Sequence, residues 1–367
     1  MTSKDKTLIE VLTQHQAYLY RTSSQSVNEL LTIFNAESAL MLAKLRDLLD
    51  ELNDSEKVAL ASGQYTTTNL KEIRDLISQW FTAINTSLPE AFAVSATALA
   101  VYEANYTSKL YGGKIKQPNG DMLYKSAKKV PLVGGALVDD LLIKLAESAR
   151  QKVEYAIRDG ISSGKTNQQI VQRIGGTKRL NYEDGILTSS KSDIDRTVRT
   201  VRSHFANQAY LSSFNQIGFE YVKLVATLDG RTSKLCASLD GTVWKINDPA
   251  KRVPPLHPHC RSILIPVEKD GLLVGERPFV MDERKVKDIP KEERSQLIGQ
   301  LDANTTFREF FKKTDDFFQK EWLGPKRYKL YKEGKFDFEK FFDPEGRLYT
   351  LDQLRKLDEK TFKELGL

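Results

Sequence analysis

Long apolar runs are missing from this chain of 367 residues: no stretch of about 18 uninterrupted apolar residues occurs, which argues against a membrane-spanning helix. Its first residues, MTSKDKTLIEVLTQHQ, lack the basic start and apolar core of a signal peptide, so a soluble protein made in the cytoplasm is expected. Cysteine is scarce too. Two residues are too few for a secreted disulfide framework and leave three roles: reduced thiols, one pair, or metal ligands. No strong charge of one sign is present. The net charge of +6, with 28% charged residues, is a mild basic excess that fits a solvated mixed surface and is compatible with lying near nucleic acid. Apolar material, by contrast, is ample: a 40% hydrophobic content supports buried cores, and this length allows about two or three domains.

Residues 1–111 read as a helical amino-terminal region. Leu30, Phe34, Met41, Leu45, Leu48 and Leu52 fall at helical spacing, and Ser26 with Glu29 has the form of a capping box, predicting a helix from Ser26 to Leu52. Leu70, Ile73, Ile77, Trp80 and Ile84 mark a second helix, and Pro89 suits the first turn of a third. Between Gly112 and Gly135 the helical pattern stops. Gly-Gly, Pro-Asn-Gly and the lysines Lys114, Lys116, Lys125, Lys128 and Lys129 predict a solvated linker over 112–135, with an acidic partner or DNA phosphate as the functional alternative.

Helical order resumes with Leu137, Leu141, Leu145, Ala149, Val153 and Ile157 on one face, followed by a short helix capped by Thr166 and Gln169. The next helix has Ser192 and Asp195 at its expected start, an apolar stripe of Ile194, Val198, Val201, Phe205 and Ala209, and Gly218 at its end. Its row of Arg196, Arg199 and Arg202 reads as a solvated face, with His204 as a flank residue. FEYVKLVAT then alternates like a strand.

That strand delivers the chain into ATLDGRTSKLCASLDGTVWKINDPAKRVPPLHPHCRSILIPV, residues 226–267, which holds both cysteines and two of the four histidines. Asp229-Gly230 and Asp240-Gly241 are turn signals, Asp229 can pair with Arg231, and SILIPV reads as a closing strand. Cys236, His257 and Cys260, with His259 as candidate fourth, are residue types that suit zinc, although Cys236 stands without a close partner and Pro258 restricts the two histidines. Three readings stay open for this group: reduced cysteines packed together with His257 bonded in a turn, a structural metal site, or a disulfide formed outside the cell. A catalytic Cys-His pair is a fourth reading that lacks a matching oxyanion-hole loop.

Taken together, the run TLDGRTSKLCASLDGTVW and the run PPLHPHCRSILIPV resemble the motif of the phage Mu protein F-like minor head proteins, which pairs a D-x-R-T turn, a cysteine and an L-D-G turn with P-P-x-H-P-x-C-R. The matching positions are Asp229, Arg231, Thr232, Cys236, Asp240, Gly241, Pro255, His257, Cys260 and Arg261. Ser233 departs from relatives that carry a further cysteine there, which removes a Cys-x-x-Cys knuckle. IRDGISSGKTNQQIVQRI and the later LGPKRYKLYKEGK also resemble the family, so the likeness runs from about residue 136 to the end. The resemblance implies a non-enzymatic minor head protein of a tailed phage, located in the virion at the head interior or portal vertex. Portal protein, major capsid protein and packaged double-stranded DNA are the implied partners, and exit with the DNA is a further implication. The competing functions are a DNA-binding ejection protein and a Cys/His-dependent enzyme.

The expected fold class is α+β, predominantly α-helical: helical bundle regions with a small β-containing module around residues 219–267. The expected domains are 1–111, the linker 112–135, a minor-head domain over 136–278, and a charged connector with a helical tail over 279–367. In that tail Phe307, Phe310, Phe311, Phe317, Phe318 and Trp322 predict a packing face, and PKRYKLYKEGK is the densest basic cluster, the first candidate for a phosphate contact.

Overall fold

The computed structural model describes residues 7–111, 119–132 and 134–367, so Lys114 and Lys116 of the expected linker lie outside the described residues. Seven helices come first: α1 (Leu8–Asp50), α2 (Asp54–Ala61), α3 (Thr68–Leu110), α4 (Gly120–Lys128), α5 (Val138–Ser162), α6 (Asn167–Gly175) and α7 (Leu187–Ile217). Strands and short helices follow: β1 (Tyr221–Val225), β2 (Leu228–Asp229), α8 (Lys234–Leu239), β3 (Val243–Lys245), β4 (Ile263–Val267), β5 (Glu276–Val280), α9 (Arg294–Leu297) and β6 (Ile298–Asp302). The remainder is helical, with α10 (Phe307–Lys313), α11 (Asp316–Leu323), α12 (Pro325–Lys332), α13 (Leu351–Leu357) and α14 (Glu359–Glu364). The fold is α+β and predominantly helical, with two small three-stranded sheets.

Two compact units divide the described chain, one of residues 21–106 and 119–206, the other of residues 7–20, 107–111 and 207–367. The helical unit has one core, built from Leu30, Phe34 and Leu45 of α1, Ile73, Ile77 and Trp80 of α3, Leu142 and Val153 of α5, and Ile194, Val198 and Phe205 of α7. Gly160 of α5 is needed for the approach of α6, because a Cβ there would stand 2.6 Å from the Ile170 side chain. Thr166 and Gln169 form the expected reciprocal cap on α6.

Several helix boundaries differ from the sequence expectation, each for a visible reason. Helix α1 begins at Leu8, and Ser26 lies inside it as the acceptor of a 2.8 Å hydrogen bond from Arg202 Nη1. Within the α7 arginine row only Arg196 is therefore a solvated residue. Arg202 is buried against Ser23 and Ser26, and Arg199 bonds Asp195 and Ser24. Pro89 sits within a continuous α3, where buried Leu88 and Phe92 on either side hold the turn that a proline weakens. Ser192 donates to Thr188 O from within α7. Residues 120–128 form α4, capped by Asn119, with Ala127 buried. The buried residues at the start of α5 are Val138, Leu142 and Ala146, one position along from the expected Leu137, Leu141 and Leu145.

Helix α4 also explains His204, whose Nε2–H donates to Ala127 O at 3.0 Å from a buried position on α7. Burial disfavours the imidazolium and lowers its pKa from the ordinary 6.5. As pH falls through 6.5 the unfolded chain takes up the proton first, so this contribution is complete above that pH and is lost below it. A His204→Gln chain should show a flatter loss of urea midpoint on acidification than the wild type. Parallel pH profiles for the two proteins would remove His204 as a source of acid sensitivity.

In the second unit β1 is central to one sheet, ordered β3-β1-β4 with both neighbours antiparallel. The other sheet is ordered β2-β5-β6, with β2 parallel and β6 antiparallel to β5. Of the charged connector expected from residue 279 onward, the first two positions, Phe279 and Val280, belong to β5. Pro278 pairs only with Gln300 of β6 and lies outside the β2 pairing, which is where a strand tolerates proline. A second core of α10, α11, α12, the segment 336–342, α13 and α14 packs on Leu228 and Ala237.

Candidate functional site

Two buried carboxylates organise the motif. Asp229, at the end of β2, accepts from its own turn through Arg231 N at 3.1 Å and from the Thr232 hydroxyl at 3.1 Å. Its side chain also takes both arms of Arg261, with Nη2 to Oδ1 at 2.7 Å, and an outer bond from Arg231 at 3.2 Å. Burial works against this carboxylate, but Arg261 first and Arg231 after it hold the Asp229 pKa below the ordinary value. The segments before α8 and before β4 are thereby tied together.

Asp240, at the C-terminal end of α8, has a fully buried side chain that accepts from four donors. They are Ala226 N at 2.7 Å, Phe307 N at 2.6 Å, and Arg277 Nη1 and Nη2 at 3.0 and 3.3 Å. Arg277 in turn donates to Thr305 O at 2.8 Å and to Ala226 O. Both Asp240 oxygens and both terminal nitrogens of Arg277 are thus hydrogen-bonded where burial would otherwise orphan them. Gly241 follows at φ 87°, where a Cβ would stand 2.8 Å from the Thr306 methyl, so the turn needs glycine twice over.

Between the two carboxylates, α8 presents Cys236 from its first turn, with Ser233 capping the helix by accepting from Cys236 N at 3.2 Å. The second arm is the segment after the cis Pro254–Pro255 bond, where Pro255 and Leu256 are buried. Cys236 Sγ lies 3.2 Å from His257 Nε2 and 3.6 Å from Cys260 Sγ, and the ligand atoms of the three residues are all within 4.8 Å of one another. Both thiols are buried and free. Donation to Cys260, then burial, pushes the Cys236 thiol up. Acceptance from Cys236, then the nearness of His257, brings Cys260 well down despite its burial. His257 is penalised by burial, but the Cys260 charge outweighs this and raises it. His259 takes a left-handed φ of 58°, and its Nδ1 stands 3.5 Å from the Tyr20 hydroxyl, so it is not in the cluster.

Residues 151–265 match the model of the family described as Phage Mu protein F like protein. Over these residues the chain is similar to Phage Mu protein F like proteins. The match takes in Asp229, Arg231, Cys236, Asp240, His257, Cys260 and Arg261, and supports head morphogenesis in a phage, with virion association, as the setting. No curated protein and no solved structure matches the chain. No helix among the described residues is long and apolar enough to cross a membrane.

The Mu F-like match stops inside β4, whereas the bonds that complete its motif come from later residues. Arg277 and Phe307 close Asp240, Trp322 Nε1 donates to Thr232 O at 3.0 Å, and Ser238 Oγ donates to Gly346 O at 2.7 Å. Lys234 lays its ammonium 3.7 Å from the Trp322 ring centre, and burial lowers its pKa to about 8. Sequence reading missed Arg277, Lys234 and Lys223, whose Nζ donates to Gly271 O at 3.0 Å. The one available signal was ERPFV, an arginine inside an otherwise strand-like run. The basic cluster of α12 is largely engaged within the chain: Arg327 bonds Tyr349 O, Lys329 bonds Leu365 O, both at 2.7 Å, and Lys332 pairs with Asp316 at 2.7 Å.

Proposed function

We propose that the protein is a non-enzymatic minor head protein of a tailed phage, acting in head assembly close to the portal vertex through contacts with portal and major capsid proteins. The observation that carries this reading is the family match over 151–265, which spans Asp229, Cys236, Asp240, His257, Cys260 and Arg261. The fate of the motif's charged residues supports it: Asp229 is paired with Arg261 and Asp240 with Arg277, an arrangement suited to a rigid scaffold rather than to substrate. Engagement of Arg327, Lys329 and Lys332 within the chain favours protein partners over DNA.

Quantitative mass spectrometry of purified heads and assembly intermediates tests the reading. The chain should be present in few copies relative to the major capsid protein and should cross-link to the portal. Its absence from both particle types would sink the proposal. A DNA-binding ejection protein would instead bind duplex DNA with an affinity that falls steeply with salt, whereas the proposed role expects a nearly flat response.

A further inference from the structure

We propose that Cys236, His257 and Cys260 form a three-residue site for a soft divalent cation of the zinc class, which pins the 254–260 segment to α8. The distances are those of ligands around a shared ion. Tetrahedral zinc with ordinary bond lengths separates two thiolate sulfurs by about 3.8 Å and a sulfur from an imidazole nitrogen by about 3.5 Å. The corresponding separations here are 3.6 Å and 3.2 Å. A second, independent observation concerns the imidazole. His257 Nδ1 lies 2.7 Å from Pro258 O, which can only accept, so Nδ1 carries the hydrogen and the Nε2 lone pair is directed toward the sulfurs. Backbone carbonyls fix the tautomer of metal-bound histidines in this way.

The donor set selects the ion. Two sulfurs and one imidazole suit zinc and its relatives and disfavour magnesium and calcium, which take oxygen ligands. Among the described residues no other histidine, cysteine or carboxylate joins the group. The fourth position therefore falls to water or to a ligand from outside the chain. Binding requires both cysteines as thiolates and His257 neutral at Nε2, releases the protons these groups still hold, and forms two thiolate bonds and one imidazole bond to the ion, with no change of oxidation state.

The full chain, purified under reducing conditions in zinc-supplemented medium, should retain one equivalent of zinc through gel filtration. Added Co2+ should give the ligand-field absorption of a tetrahedral centre together with a thiolate-to-cobalt charge-transfer band. Cys236→Ser, Cys260→Ser and His257→Ala should each lose the ion, while His259→Ala keeps it. A metal-free wild type whose Co2+ spectrum lacks the thiolate band overturns the proposal, as does a His259→Ala protein that loses the ion as fully as His257→Ala. Because the cobalt spectrum is read on the wild-type chain, a variant that fails to fold does not decide the question. The head-assembly reading stands or falls separately, since a metal-free chain could still assemble into heads.

Discussion

Arg277→Met will destabilise the second unit by about 3–5 kcal/mol, the range for removing one partner of a buried ion pair. The Asp240 carboxylate would keep its two backbone donors but lose the only cation bonded to it among the described residues, and Thr305 O and Ala226 O would each lose a donor. Methionine fills much of the arginine volume, so the loss reads the charge and hydrogen bonds rather than a cavity. Asp240→Asn should be nearly as damaging. Its amide NH2 must face one of the N–H groups that now donate to the carboxylate, placing donor against donor. The measurement is a urea midpoint at unchanged m-value. An Arg277→Met chain within about 1 kcal/mol of wild type would show that Asp240 is solvated in solution, contrary to its buried place here.

That pair marks the limit of what the sequence discloses. Asp229, Gly230, Asp240 and Gly241 announce themselves because turn residues act locally, and Ile194 through Ala209 do so because helical spacing repeats. Arg277 acts across 37 positions, and its inward place on β5 is disguised by Glu276 on one side and Pro278 on the other. The same limit explains α1. Ser26 and Glu29 have the spacing of a cap, but the partner that claims Ser26 is Arg202, 176 residues on. Local chemistry was legible in the sequence; pairings made by distant segments were not. The Cys236, His257 and Cys260 cluster falls between these cases. Its residue types stood out at once, whereas the exclusion of His259 depends on the left-handed turn that points the chain elsewhere.

Phe307→Ala should be as severe, at about 3–5 kcal/mol, the usual loss for emptying a large buried aromatic site. Phe307 is fully buried, with its ring centre 5.0 Å from that of Trp322 and 5.7 Å from that of Phe310. The side chain removed is therefore central to the aromatic core, and its neighbours are themselves fixed by Trp322 Nε1 and the α10 cap. Phe317 offers the internal control. It is 75% exposed, so Phe317→Ala should stay within about 0.5 kcal/mol of wild type. Equal losses at the two positions, measured by denaturant titration, would mean that residues 307–323 do not pack as a core face.

The reach of Asp240 also bears on the order in which the chain matures. One of its four donors is the backbone N–H of Phe307, 67 residues later, and another is Arg277. While the polypeptide is being synthesised, the segment that matches the family model is made before either donor. Its carboxylate must stay hydrated until they arrive, and long-range closure of this kind is slow compared with helix formation. The helices before β1 can form as they emerge, but the motif is completed only by chain that the ribosome has yet to deliver.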